Sequence, residues 1–233
     1  CFPHVVNIAV KTGLKCILRA LQDDLEYLEA LQKDVVCKTR GVVTTMCVSS
    51  HRREGLSETI KQGNKDAAWG QDAKTEDEPL QLRDVKLLQD VDTRWSSIFL
   101  MIDRYLELHQ AIERYLHDHT DVDTHALEEK ELQVLADILT FLQIPHCVQE
   151  IVSAEKTPTL TIVLPLYEKL ITVLNALKVH KLPKLSHAIS GCVQKLEEYL
   201  NLSRRTKMYS LAMSKFYSMT RELLLDSKLS SFC

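Results

Sequence analysis

Asp92-Thr93-Arg94-Trp95-Ser96-Ser97 sets a guanidinium beside one of only two tryptophans, where an acidic, polar stretch gives way to an apolar helical pattern. Such a pair can close a core at a helix start. It can also present a flat ring and a fixed positive charge to something outside the protein. The compact basic clusters are Arg52-Arg53 and Arg204-Arg205 with Lys207. Clusters of this size are usually solvated surface, and Glu54 follows the first one directly. Cys1 and His4 have the spacing of half a zinc site. A structural zinc takes four ligands, and no second Cys/His pair lies nearby, so packing at a helix start is the expected role. His109, His117, His119 and His125 share a region with Asp118, Asp121 and Asp123. His117 and His119 are two residues apart and cannot share a helix face, so a solvated loop is expected there rather than a metal site. The glycines are isolated, which leaves no phosphate-cradling loop.

The elements that must position these residues are mostly helical. Leu18, Leu21, Leu25, Leu28, Leu31 and Val35 recur at steps of three and four, one stripe of a helix. Val35, Val36, Val42, Val43, Met46 and Cys47 continue at helical spacing, although β-branched residues are costlier in a helix. Residues 49–90 read differently: they hold three of the six glycines and the polar run Lys74-Thr75-Glu76-Asp77-Glu78-Pro79. A flexible linker is expected over 51–90, with Trp69 partly exposed for want of apolar neighbours in sequence. Thr93 is placed as the N-cap of the next helix, whose broad apolar face runs through Trp95, Ile98, Phe99, Ile102, Leu106, Ile112 and Leu116. Trp95 is expected to be only partly buried, because Asp92, Thr93, Arg94 and Ser96 around it favour water. Further helices are expected over 126–143, from Thr157-Pro158 onward, over 185–200 and over 205–225. Pro145 should end or kink the first of these and Pro165 should kink or split the second.

Bulk composition bounds the function. Six glycines and six prolines in 233 residues argue against a turn-rich all-β chain. A net charge of −3 gives no global basic field, so any nucleic-acid contact must be local. Seven scattered cysteines without a Cys-x-x-Cys pair read as reduced thiols. No apolar run approaches the ~18 residues of a membrane span, and no membrane partner is expected. The sequence opens on Cys1 with no signal-like region, and it is expected to be an internal fragment.

Four stretches, in order, carry a resemblance to the hAT superfamily of DNA transposases. Cys1-Phe2-Pro3-His4-Val5-Val6-Asn7-Ile8 resembles its C-x-x-H-x-x-N-L motif. Ser49-Ser50-His51-Arg52-Arg53-Glu54 resembles the S-S-x-x-R-R-E stretch. Asp92 to Ser97 is similar to x-T-R-W-N-S. Ser153 to Leu160, with Leu164-Pro165-Leu166 behind it, is similar to S-x-E-x-x-P-T-L-S.

The resemblance implies a mainly α fold: the helical insertion domain of an RNase H-like transposase, with the edge of the catalytic core at the N-terminus. Residues 1–50 would be the tail of that core and the first helices, 51–90 a linker, and 91–233 the insertion. It implies that Trp95 stacks on an unpaired base in an intact parent, with Arg94 holding a phosphate or the base plane. Arg52 and Arg53 would contact phosphate, and Cys1 and His4 mark the family motif. The three carboxylates that hold divalent metal for strand cleavage in such transposases map onto none of these residues. The chain is therefore expected to be no enzyme and to need no cofactor, magnesium or manganese belonging only to an intact parent. DNA is the expected partner, its binding weak or lost in the fragment. Self-association is expected of the intact parent, and the location is nuclear. The competing reading is a non-enzymatic helical protein-interaction module or a transposon relic.

Overall fold

The computed structural model describes residues 2–17, 25–72, 75–91, 95–153 and 159–205. These form eight helices and one short hairpin among the described residues: α1 (Phe2–Ile17), α2 (Leu25–Gln32), α3 (Val35–Val48), α4 (Ser50–Lys65), β1 (Gln71–Asp72), β2 (Thr75–Pro79), α5 (Trp95–Asp118), α6 (Glu129–Ser153), α7 (Thr159–His180) and α8 (Ser186–Arg204), with a 3-10 turn at Pro183–Leu185 before α8. The chain is mainly helical, as its spacing of apolar residues dictates. No helix among the described residues is long and apolar enough to cross a membrane.

The chain divides into two compact units, residues 1–20 with 140–233 and residues 21–139. In the first, α8 packs against α1 and α7. The buried face of α1 is Phe2, Val5, Val6, Ala9, Val10, Gly13 and Ile17, a stripe at steps of three and four. Gly13 lets the backbones close: a Cβ there would sit 3.0 Å from the Ala188 carbonyl oxygen and 3.2 Å from Cys192 Cβ. Phe2 and Tyr167 meet edge to face with centroids 4.6 Å apart. Pro145 and Pro165 lie inside α6 and α7. Each deletes one helical N–H, yet buried Phe141, Leu142, Ile144 and Val148 around the first, and Val163, Leu166 and Tyr167 around the second, hold the turns in place. The helix expected to stop at 143 therefore continues to Ser153.

In the second unit, α3 and α4 each pack on α5. The valine-rich stretch is a helix despite its β-branching, because Val35, Thr39, Val42, Val43 and Met46 bury one face. Tertiary burial outweighs a few tenths of a kcal/mol per residue of propensity. Asp34, in the left-handed region at φ 48°, separates α2 from α3 and accepts the Cys37 N–H at 3.0 Å as N-cap. The leucine stripe gives way to a different face on α2: Tyr27, Ala30 and Leu31 are buried, and Leu25 is 71 % exposed.

Residues 51–90 correct the expectation of an irregular linker. Ser50–Lys65 is a four-turn helix, the turn at 66–70 leads into the hairpin β1–β2, and 80–90 follows without regular structure. Two of the three glycines that suggested a linker serve close packing instead, while Gly70 takes a positive φ of 84°. A Cβ on Gly55 would lie 2.7 Å from the Tyr115 ring, and one on Gly63 would lie 1.9 Å from Trp69 Cζ2. Trp69 is accordingly buried rather than partly exposed. Its Nε1 donates to Asn64 Oδ1 at 2.8 Å, and Asn64 in turn accepts from the Leu82 N–H at 3.0 Å and donates to the Leu82 carbonyl at 2.8 Å. One asparagine thus pins both the tryptophan and the segment after the hairpin to α4. Arg114 completes the site with its guanidinium 5.9 Å from the ring centroid.

Candidate nucleic-acid interface

Trp95 is the first residue of α5 and is 1 % exposed, the largest fully buried side chain among the described residues. The expected half-open ring is corrected: a ring with no exposed face offers none to a base. On the approach to α5, Asp90, its side chain 4 % exposed, is gripped by Arg40 of α3 through Nε at 2.9 Å and Nη2 at 2.7 Å. Ser97 Oγ accepts the Val91 N–H at 2.9 Å and donates to the Val91 carbonyl at 3.1 Å. These polar groups satisfy one another before the helix begins. Arg94, with Asp92 and the expected N-cap Thr93, lies outside the described residues, as does Cys1. His4 is exposed on α1.

Arg52, half-buried, and Arg53, exposed, both reach back to α3. α3 ends at Val48, Ser49 is extended at φ −103° and ψ 134°, and α4 begins at Ser50. The last carbonyls of α3 have no helical partner. Arg52 Nη1 donates to the Thr45 carbonyl at 2.9 Å, and Arg53 Nη1 donates to the Cys47 carbonyl. Two guanidinium groups so placed satisfy orphan acceptors and the negative end of the helix dipole. Ser-Ser-His-Arg-Arg-Glu is thus a helix–helix junction. Arg52 also acts on Tyr115, whose hydroxyl burial pushes up while the nearby guanidinium opposes the shift.

Beside this junction lies a cleft of about 500 Å³ lined by Met46, Cys47, Arg53, Lys61, Asp84 and Leu87 among others. Its charges are largely spent on one another. Lys61 pairs with Asp84 at 3.1 Å. The Asp84 carboxyl is held below the usual range by its Ser57 hydrogen bond and by Lys61. Burial pushes the Cys47 thiol up, with Arg53 opposing, so the thiol is no activated nucleophile. Elsewhere in the same unit Glu131 is 1 % exposed; its Oε2 accepts from Lys38 Nζ at 2.6 Å and from the Glu128 N–H at 2.8 Å. The second contact is half of a capping box at the start of α6. No group of three or more His, Cys, Asp or Glu among the described residues could hold a metal ion.

The charge distribution supplies what sequence reasoning missed. Residues 1–20 and 140–233 carry 15 Lys and Arg against 7 Asp and Glu, a formal +8, while residues 21–139 carry 14 against 25, a formal −11. The whole-chain −3 is the residue of two large opposite charges. No acid occurs in residues 1–22 or 169–196. The lysines there are three or more residues apart, so no run of adjacent cations marks them.

The family model of the ZBED1 RNase-like helical domain matches residues 1–141. The chain belongs to this family. The match makes it a helical domain of the ZBED and hAT transposase-derived type, and covers α1 to α5 with the first half of α6. No curated protein and no solved structure matches the chain. The basic residues of α7 and α8 lie beyond the family match.

Proposed function

We propose that this ZBED1-type helical domain is a nucleic-acid-associated, non-cleaving module of a hAT transposase-derived protein, acting in the nucleus with DNA as its partner. The observation that carries the reading is the segregation of charge, +8 on one compact unit and −11 on the other. A polyanion is attracted by the local field of the unit it meets, not by the net charge of the chain. Cleavage is assigned to no residue here, because the carboxylates that the resemblance implies map onto none of the 233. Self-association belongs to an intact parent.

The test is a binding titration of the full chain with labelled duplex and hairpin DNA at several salt concentrations, beside a nicking assay on supercoiled plasmid with magnesium or manganese. The expected result is binding that weakens steeply with salt and plasmid that stays supercoiled. Absence of binding at low salt, or metal-dependent nicking, contradicts the proposal. A second reading, a helical protein-interaction module, is favoured by the cleft beside Arg53, whose rim mixes both signs of charge over an apolar floor of Met46, Leu56 and Leu87. Binding to a protein ligand blocked by Leu87→Glu, with no DNA affinity, would support it.

A further inference from the structure

The segment after the hairpin, residues 82–91, is pinned from two sides within the acidic unit, 21–139. Asn64 and Lys61 of α4 hold Leu82 and Asp84, and Arg40 of α3 holds Asp90. From the other side α5 holds it three times. Glu107 pairs with Arg83, Arg104 Nη1 donates to the Lys86 carbonyl at 2.8 Å, and Ser97 pairs with the Val91 backbone. The segment therefore runs antiparallel to α5, residues 83, 86 and 91 meeting 107, 104 and 97. Neighbouring carbonyls face opposite walls, as they do in extended chain. Lys86 offers its carbonyl to α5, while the Leu87 carbonyl faces α3 and meets the Cys47 thiol at 3.9 Å. A thiol is a weak donor, and the Leu87 N–H has no partner among the described residues.

That half-used backbone edge is one wall of the cleft of about 500 Å³, and α4 is another. The floor is apolar, with Met46, Leu56 and Leu87 buried in it. Arg53, Lys61 and Asp84 are spent on partners within the protein. Glu54 and Glu58 are not. They stand one turn apart on the same face of α4, exposed at the rim, and neither pairs with a described residue. Lys86 is the one cation of the lining left unpaired among the described residues, so the open charge of the cleft is acidic.

We propose that this cleft binds an extended basic peptide of a partner protein. The peptide backbone pairs with Leu87, a large apolar side chain fills the floor, and the lysine or arginine side chains flanking it reach Glu54 and Glu58. The proposal rests on the protein-interaction reading above and supplies the chemistry of the partner. A strand carries both the donor and the acceptor that the Leu87 edge lacks. Its alternation sends an apolar side chain down to the floor and its two neighbours up to the rim. Cations two residues apart on a strand are about 7 Å apart, close to the about 6 Å that separates one turn of glutamates along a helix. The same glutamates turn away a nucleic-acid phosphate or an acidic peptide.

The probe is a fluorescein-labelled nonapeptide that alternates lysine with leucine. A second peptide has serine for every leucine, and a third has glutamate for every lysine. Anisotropy is measured with the full chain, with the rim variant Glu54→Gln, Glu58→Gln, and with a control that removes two other exposed acids of the same unit, Glu29→Gln, Glu113→Gln. The lysine–leucine peptide should bind wild type about tenfold tighter than either of the others, or better. Two exposed ion pairs together are worth about two- to thirtyfold, so the rim variant should lose about tenfold and the control should bind as wild type does. Bound peptide should slow alkylation of Cys47, which lines the cleft, and leave that of exposed Cys37 unchanged, as read by peptide mass spectrometry. Equal binding by rim variant and wild type with Cys47 protected overturns the basic partner and leaves the protein-interaction reading in place. Tighter binding of the glutamate–leucine peptide with Cys47 protected does the same. Binding without protection of Cys47, or an equal loss in the control, overturns the site. No binding of any of the three peptides overturns both the proposal and the reading it rests on.

Discussion

Trp95→Ala should destabilise the protein heavily. The ring is 1 % exposed at the first position of α5. A buried tryptophan removes roughly 200 Å² from water, worth about 5 kcal/mol at about 25 cal/mol per Å². Alanine keeps a small part of that, and partial collapse of the cavity returns some more. The net loss falls in the range of about 3–5 kcal/mol seen for aromatic-to-alanine core changes. For a chain of this size each kcal/mol shifts the melting temperature by about 2–4 °C, so the variant should melt about 6–20 °C lower. Urea unfolding followed by circular dichroism gives the free energy, and a thermal scan gives the shift. Below the transition the helical signal should match wild type. A loss under about 1 kcal/mol would refute the burial argument.

Gly63→Ala should also destabilise, because the new methyl would meet Trp69 Cζ2 at 1.9 Å. Forcing the ring out should cost about 1–3 kcal/mol or more, and in a Trp95→Phe background the Trp69 fluorescence should shift to the red. Unchanged emission would contradict the packing. Glu131→Ala removes the acceptor for Lys38 and for the Glu128 N–H and should cost about 2–4 kcal/mol; a change within about 0.5 kcal/mol would mean that water replaces both contacts. Stability should fall in alkali. Burial pushes the Tyr105 hydroxyl from 10.0 and the Cys192 thiol from 9.0, each up to about 12. A group whose folded pKa is raised contributes stability that is whole below its unfolded value and is lost as pH rises toward the folded one. The urea midpoint should hold from neutrality to about pH 9 and then drop through about pH 12. Cys192→Ala should lessen the drop, and a fall of the same steepness below pH 9 would contradict the assignment.

Helical periodicity revealed most of the architecture, because burying one face of a helix writes a 3.6-residue rhythm into the chain. α1, α5 and α8 carry that rhythm openly. The rhythm failed where burial was made by something other than regular spacing. Trp69 has no periodic neighbours, yet Gly63, Asn64 and Arg114 build a pocket for it from one helix end and a residue far along the chain. Gly55 and Gly63 of that stretch look like a linker in composition and act as clearance for two aromatic rings. Arg52 and Arg53 read as surface cations, since nothing in sequence says that Ser49 breaks the helix and leaves the carbonyls of Thr45 and Cys47 to be capped. Polar neighbours of Trp95 suggested solvent, yet the ring is buried: neighbours in sequence do not say what packs on a ring in space. The basic unit escaped notice because charge was summed over the chain. It joins residues 1–20 to 140–233, segments far apart in sequence that only folding unites.

The central claim is that nucleic acid meets the basic unit, residues 1–20 with 140–233, rather than Trp95, Arg52 and Arg53. The most direct test is photocrosslinking of duplex DNA to the full chain, with the adducts mapped by peptide mass spectrometry. The account predicts adducts on peptides from residues 1–20 and 140–233, and their loss at high salt. Adducts concentrated instead on peptides containing Arg52, Arg53 or Trp95 would contradict it.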